Sequence, residues 1–366
     1  MFLHVVRGDP KFLPAVHDLY EKARPEENHF LCYVKGPAPD GVPSGFKIVR
    51  NDSDILAEYR KREDWRGVIC SGLLDEVVCL AKVIPPSLPL AWIVWGMEIY
   101  NKSFEYHKDL FLPDTKRLSG GFLKNYLRPL IWFARDLRRG RRTILERIDF
   151  CVCPFREEFE FIKSRSLSDR IQYLKGWVCA RDITHYLSPR PSKGGVDIQV
   201  GNSATFENNH TEIFQMLSEM DLDGRNIIVP LSYGDPQCRE SVLASGRKFL
   251  GDRFHPLLDF MPIDEYNSII DSCSTVVFNH NRQQGIGNIL SAVARGAQVH
   301  LRETPIYHGL RRIGLDIRKV SDLKSNDVNQ VKESPRLNTR SIFEAEFSLS
   351  KRIEDTEAML AGLRPS

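Results

Sequence analysis

Short apolar runs alternate with stretches whose apolar residues recur every three or four positions through the first 180 residues. Phe2 to Val6, His29 to Val34, Phe46 to Val49, Gly67 to Cys70 and Leu90 to Trp95 predict strands. Lys11 to Lys22, Ser53 to Arg62 and Leu74 to Lys82 have helical spacing. Ile148 to Cys153 and a helix from Phe155 to Ser164 close this half. Apolar strands spaced by helices predict a parallel sheet covered on both faces, since a strand buried on both sides needs no polar face.

The pattern breaks at Ser188-Pro189-Arg190-Pro191-Ser192-Lys193-Gly194-Gly195, a linker that suits neither a helix nor a central strand. It then restarts. Strands are predicted at Val196 to Val200, Asn226 to Pro230, His255 to Phe260, Thr275 to Phe278 and Ala297 to Leu301. Helices are predicted at His210 to Glu219, Pro236 to Leu250, Asp264 to Asp271 and Ile289 to Gly296. Ser325 to Asn338 is polar and reads as loop, and Ser341 to Leu363 reads as an amphipathic helix. The expected organisation is an α/β domain over 1–187, a second over 193–325, and a tail over 326–366 that packs back on the first. Two such domains in tandem bind ligands in the cleft between them, at the carboxyl ends of the strands.

Charge changes this picture locally. The chain of 366 residues carries a net charge of only +3. Between Thr115 and Arg147, however, ten Lys and Arg stand against Asp136 and Glu146. Apolar residues recur there too, Phe122, Tyr126, Leu130 and Phe133 among them, so segment 116–147 predicts a basic amphipathic helix. Arg128, Trp132, Arg135, Arg138 and Arg139 are its candidate contacts with an anionic membrane surface. A core-packed helix with a solvated basic face is the alternative. No nucleic-acid-binding motif occurs, so nucleic acid is not an expected partner. The eight cysteines have no metal-like spacing and read as reduced, buried thiols of a cytosolic protein. The N-terminus lacks the features of a signal peptide, and no apolar run approaches a membrane span.

The chemistry concentrates where Phe278-Asn279-His280-Asn281-Arg282-Gln283-Gln284-Gly285-Ile286-Gly287-Asn288 joins a buried strand to a small-residue helix. Glycines at such a junction let backbone N–H groups approach an anion at the helix N-terminus. Arg282 adds a forked cation. Gly201-Asn202-Ser203-Ala204-Thr205 occupies a matching strand-to-helix junction and reads either as a phosphate contact or as a capping turn. Tyr233 flanks a base or packs. Glu303, at a strand's carboxyl end, accepts from sugar hydroxyls or pairs with a neighbouring cation. His210 and Glu212, two apart on a helix, do not face together as metal ligands.

The run from Phe260-Met261-Pro262 through Cys273-Ser274-Thr275-Val276-Val277, Gly285-Ile286-Gly287-Asn288 and Ala292-Val293-Ala294-Arg295-Gly296 resembles the donor half of GT-B glycosyltransferases. Val200-Gly201-Asn202-Ser203, Val229-Pro230-Leu231-Ser232-Tyr233-Gly234, Arg282-Gln283-Gln284-Gly285 and Arg302-Glu303-Thr304-Pro305 together resemble the TDP-N-acetylfucosamine:lipid II N-acetylfucosaminyltransferases, the 4-α-L-fucosyltransferase family. The resemblance is strongest over residues 196–310; before it, Trp95-Gly96-Met97-Glu98-Ile99-Tyr100 is the best match. It implies a GT-B fold, two Rossmann-like domains facing a cleft. It also implies transfer of an amino-deoxy sugar from a nucleotide-diphosphate donor, TDP-linked, to a polyprenyl-diphosphate-linked saccharide, by a peripheral protein on the cytoplasmic side of the inner membrane. Gly201, Asn202, Ser203, Tyr233, Arg282, Gln283, Gln284, Gly285, Gly287, Asn288 and Glu303 are then the expected donor-binding residues. Many GT-B enzymes carry glutamate where this chain has Gln283-Gln284, so their mechanism does not transfer. Glu98 is the candidate acceptor base. No essential metal is expected, because helix N-termini and arginine offset the leaving-group charge. Two rivals stay open: another GT-B transferase with a different donor, and a non-catalytic scaffold that binds a nucleotide sugar without turnover.

Overall fold

The computed structural model describes residues 1–7, 12–72, 77–96, 98, 110–120, 131, 141–166, 170–177, 187, 195–325 and 337–364. It divides into two compact units. The first comprises Met1–Ser103, Ile131–Asp182 and Glu346–Ser366; the second comprises Phe104–Leu130 and Ile183–Ala345.

In the first unit the strands are β1 (Phe2–Arg7), β2 (Asn28–Tyr33), β3 (Phe46–Val49), β4 (Gly67–Ser71), β5 (Leu90–Ile93), β6 (Phe150–Cys153) and β7 (Gln172–Lys175). They pair in parallel, in the order β3-β2-β1-β4-β5-β6-β7. The helices are α1 (Leu13–Ala23), α2 (Asp52–Tyr59), α3 (Val78–Val83), then after α4 of the second unit, α5 (Arg141–Arg147) and α6 (Arg156–Ser166). α4 is Pro113–Leu118.

The second unit repeats the plan. Its strands β8 (Asp197–Val200), β9 (Ile227–Pro230), β10 (Phe254–Leu257), β11 (Cys273–Phe278), β12 (Gln298–Leu301) and β13 (Ile317–Lys319) are ordered β10-β9-β8-β11-β12-β13. Its helices are α7 (His210–Ser218), α8 (Pro236–Leu250), α9 (Ile263–Ile270), α10 (Ile286–Ala294) and α11 (Pro305–Arg312); the tail adds α12 (Leu337–Phe347) and α13 (Leu349–Gly362). Strand order reverses direction at β8/β11, and at the carboxyl ends of such a switch point parallel sheets leave a crevice. All six residues of β11 are buried, as its central place requires.

Three features differ from the sequence expectation. The edge strands β7 and β13 read Gln-Tyr-Leu-Lys and Ile-Arg-Lys, too short and polar to announce themselves. The tail helix is two helices, because the Ser348 hydroxyl accepts from the Lys351 N–H at 3.2 Å and starts α13 afresh. α13 sets Met359, Leu360 and Leu363 into the core with Phe2, Val6 and Tyr20, and Asp355 takes the Lys175 ammonium at 3.0 Å. Residues 110–118 belong with the second unit, not the first. Asn209 accepts from the Leu112 N–H at 2.8 Å, and Glu212 accepts from the Thr115 N–H and hydroxyl at 2.9 and 2.6 Å.

Candidate functional site

Loops leaving the carboxyl ends of β8, β9, β11 and β12 build the site. The Ala204 N–H donates to the Tyr233 carbonyl, and Asp235 N–H to the Ala204 carbonyl, so the loops after β8 and β9 are stitched together. Asn208 is the hub of the first loop. Its Nδ2 reaches the carbonyls and hydroxyls of Ser203 and Thr205, while Oδ1 accepts from the Asn202 N–H at 3.1 Å and meets His280 Nε2 at 2.7 Å. Gln284 Nε2 donates to the Thr205 hydroxyl at 3.2 Å. Gly201 has φ +68°, and a Cβ there would strike the His210 ring and the Asn208 amide. Packing inside the loop therefore demands that glycine. The Ser203 hydroxyl is buried and already engaged, so what this turn offers outward is chiefly backbone N–H.

The second loop ends on Gly285 at φ +66°, the N-cap of α10. No side chain caps this helix, and no acid stands in its first turn. Its leading N–H groups and positive dipole end are thus left for an anion. Gly287 has an ordinary φ, and a Cβ on it would meet nothing within 4 Å. Neither strain nor packing within the chain requires glycine there. Asn288 follows in the same turn, half-buried. Arg282 is 9% exposed. Its Nη1 donates to the Gln283 carbonyl at 2.9 Å, and its Nη2 lies 3.9 Å from Glu207.

His280, Arg282, Gln284, Arg302 and Thr304 line one depression, with Phe278, Ile289, Leu301 and Ile306 as its apolar wall. Among the described residues no carboxylate is in this lining. Burial holds His280 down to about 3, so it is neutral at pH 7 and the two arginines supply the charge.

The remaining expected residues fall differently. Tyr233 is 48% exposed and its hydroxyl faces Asn202 and Ser203. Glu303 turns away from the depression and pairs with Lys319 at 2.7 Å, while its neighbours Arg302 and Thr304 enter it. Gln283 sits beside Arg282 and lends it a carbonyl. His210 is buried and held neutral, its pKa near 3, and Glu212 serves Thr115, so the two do not form a metal pair. Two Asp-x-Asp runs exist, Asp52-Ser53-Asp54 and Asp221-Leu222-Asp223. Asp54 accepts from the Arg50 N–H and Asp221 from the Asp223 N–H, which are turn and cap roles. Among the described residues no three His, Cys, Asp or Glu cluster as ligands. Arg128, Trp132, Arg135, Arg138 and Arg139 lie outside the described residues. Arg147, the last cation of that segment, is spent on Asp149 at 2.6 Å and on the Pro85 and Leu88 carbonyls.

Glu98 lies in the first unit, after β5. It is 5% exposed, and its Oε1 accepts from the Trp92 indole at 3.0 Å and from the Trp95 N–H at 2.8 Å. Glu158, after β6, is fully buried; neither of its oxygens has a hydrogen-bond partner. Burial first, and the Glu98 charge second, push its pKa well above the usual carboxylate range.

Asn208 and Asn209 carry no motif in the sequence, and Asn279, His280, Arg302 and Thr304 stand there only inside longer runs with no role of their own. A signal was present. Phe278 pairs with Leu301, so Asn279 and Arg302 are the first polar residues beyond adjacent strand ends. Arginine emerging from an apolar strand into a loop near another arginine is worth weighing wherever parallel strands end.

A family model described as 4-alpha-L-fucosyltransferase, glycosyl transferase group 56, matches residues 158–344. Among solved structures, Anabaena Alr3699/HepE in complex with UDP is similar at TM-score 0.66 and 11% identity, over 99% of this chain and 100% of that one. The lipopolysaccharide outer core galactosyltransferase WaaB is similar at 0.63 and 12% identity, over 99% of each chain. Sucrose-phosphate synthase of Thermosynechococcus elongatus is similar at 0.58 and 11%, over 100% of this chain and 95% of that one. At such identities the likeness shows the fold, which is GT-B.

Proposed function

The chain belongs to the 4-alpha-L-fucosyltransferase family and is a glycosyltransferase of the GT-B fold; from that premise we propose that it moves an amino-deoxy sugar from a TDP-linked donor to a polyprenyl-diphosphate-linked saccharide. The observation that carries the donor class is the depression in the second unit, lined by two arginines and, among the described residues, by no carboxylate, with the uncapped start of α10 between its lining residues Gln284 and Ile289. Such a site favours a diphosphate through charge-assisted hydrogen bonds and the helix dipole. A fold relative solved with UDP supports a nucleotide sugar in this class of fold.

In the transfer, the acceptor hydroxyl oxygen bonds to the anomeric carbon while the bond from that carbon to the donor phosphate breaks. The nucleoside diphosphate leaves with added negative charge, which Arg282 and the N–H groups of Ile286, Gly287 and Asn288 offset. These groups act without a metal. The hydroxyl's proton goes to Glu98, whose carboxylate is oriented by two N–H donors as a base must be. The basic segment holds the protein against the anionic cytoplasmic face, where the lipid-linked acceptor is found.

The test is turnover. Incubation with a TDP-amino-deoxyhexose and a polyprenyl-diphosphate-linked saccharide should yield the extended lipid-linked product and free TDP. Product from another nucleotide sugar alone would replace the donor assignment. Nucleotide binding with no transfer to any lipid-linked acceptor would replace the enzymatic reading with a scaffold.

A further inference from the structure

Arg302 leaves β12 beside Asn279 and lines the depression with Arg282. Its Nη1 donates to Asn279 Oδ1 at 3.4 Å. Burial lowers its pKa, and the Glu212 carboxylate is the group that counters this. A half-buried guanidinium facing a depression whose described lining holds no carboxylate loses solvation that an anion would return.

What holds Arg302 comes from a distant part of the sequence. Thr115, on α4, grips both oxygens of Glu212. The same segment is tied to Asn209, whose Nδ2 donates to the carbonyls of Leu110 and Asn279, both at 3.1 Å. Asn279 returns a bond from Nδ2 to the Asn209 carbonyl at 3.0 Å. Asn279, which accepts from Arg302, is thus tied through Asn209 to the Leu110–Leu118 segment, and Thr115 fixes that segment on Glu212.

We infer that Arg302 is a second phosphate-binding cation of the donor pocket and that the Leu110–Leu118 segment, held by Thr115 on Glu212, positions it through Asn209 and Asn279. The inference rests on the nucleotide-sugar reading of that pocket. One arginine serves one phosphate; a nucleoside diphosphate presents two, and paired forks match them. The segment leading into the basic stretch thereby bears on donor binding without touching the donor.

The experiment is calorimetric titration with TDP and TMP of wild type, Arg282→Ala, Arg302→Gln, Arg302→Lys, Thr115→Val and Thr115→Ser. Arg302→Gln should weaken TDP about ten- to a hundredfold and TMP far less, with Arg302→Lys recovering part of the loss. Thr115→Val should show a smaller loss of the same TDP-selective kind, and Thr115→Ser, which keeps the hydroxyl, should restore it. An Arg302→Gln protein with unchanged TDP affinity, or with equal losses for TDP and TMP, overturns the second-cation role while Arg282→Ala still reports on the pocket. Should Arg302→Gln fail to fold, Arg302→Lys binding TDP no better than it binds TMP overturns it instead. Equal affinities of Thr115→Val and Thr115→Ser overturn the positioning role. A wild type that binds neither nucleotide removes the donor reading itself.

Discussion

At the carboxyl end of the second unit's sheet, Arg282 and Arg302 line a depression with no carboxylate among its described lining residues, and the uncapped start of α10 falls between two of them, Gln284 and Ile289. At the same end of the first unit's sheet stand two buried carboxyls, Glu98 after β5 and Glu158 after β6. Both sheets are parallel and share the order in which the central strands run. The architecture therefore dictates where a site sits, and the few residues beyond each strand dictate its charge. One end collects guanidinium groups and backbone N–H donors, and the other buries carboxyls. This is how one fold hosts different chemistries.

The sharpest way to break the contrast is at Glu98. Glu98→Gln keeps the shape and the Trp92 and Trp95 contacts' acceptor while removing the base. Turnover should fall about a hundred- to ten-thousandfold, with TDP affinity unchanged by calorimetry. Unchanged turnover would end the base role and leave the first unit's carboxyls structural. Asn208→Ala strikes the other side. Asn208 is fully buried and joins the loops after β8 and β11, so its loss should cost about 2–3 kcal/mol in denaturant unfolding and weaken TDP binding together. Loss of stability with intact binding would show that the loops hold their shape without it.

The smallest effect is a slope. Glu158's folded pKa lies above its unfolded value of 4.5. Below that value both states hold the proton and its contribution is complete; as pH rises, the unfolded chain releases a proton that the folded one must keep, and stability falls. Glu158→Gln should remove this slope, so its melting temperature should gain on wild type between pH 5 and pH 9. Parallel melting curves would show that Glu158 is ionised in the fold.

The central strands were legible because burial on both faces leaves long apolar runs, as in Cys273–Phe278. β7 and β13 were not, since an edge strand needs no apolar face on each side. At the site, Arg282 and Gly285 announced themselves by spacing. Of the two readings that Arg302-Glu303-Thr304 left open for Glu303, the structure shows the ion pair, with Lys319. Asn208 and Asn209 were hidden because their work is tertiary. Nothing local in Glu207-Asn208-Asn209 tells that one side chain bonds to His280 and the other to Leu110 and Asn279. The grip of Thr115 on Glu212 is likewise a contact across 97 positions.

The most direct test of the anion site is calorimetric titration of wild type and Arg282→Ala with TDP, UDP, GDP and CMP, with and without magnesium. The account predicts tight binding of one nucleoside diphosphate, TDP, indifferent to magnesium and weakened about a hundredfold in the variant. Binding of none of the four, or binding that Arg282→Ala leaves intact, would contradict it.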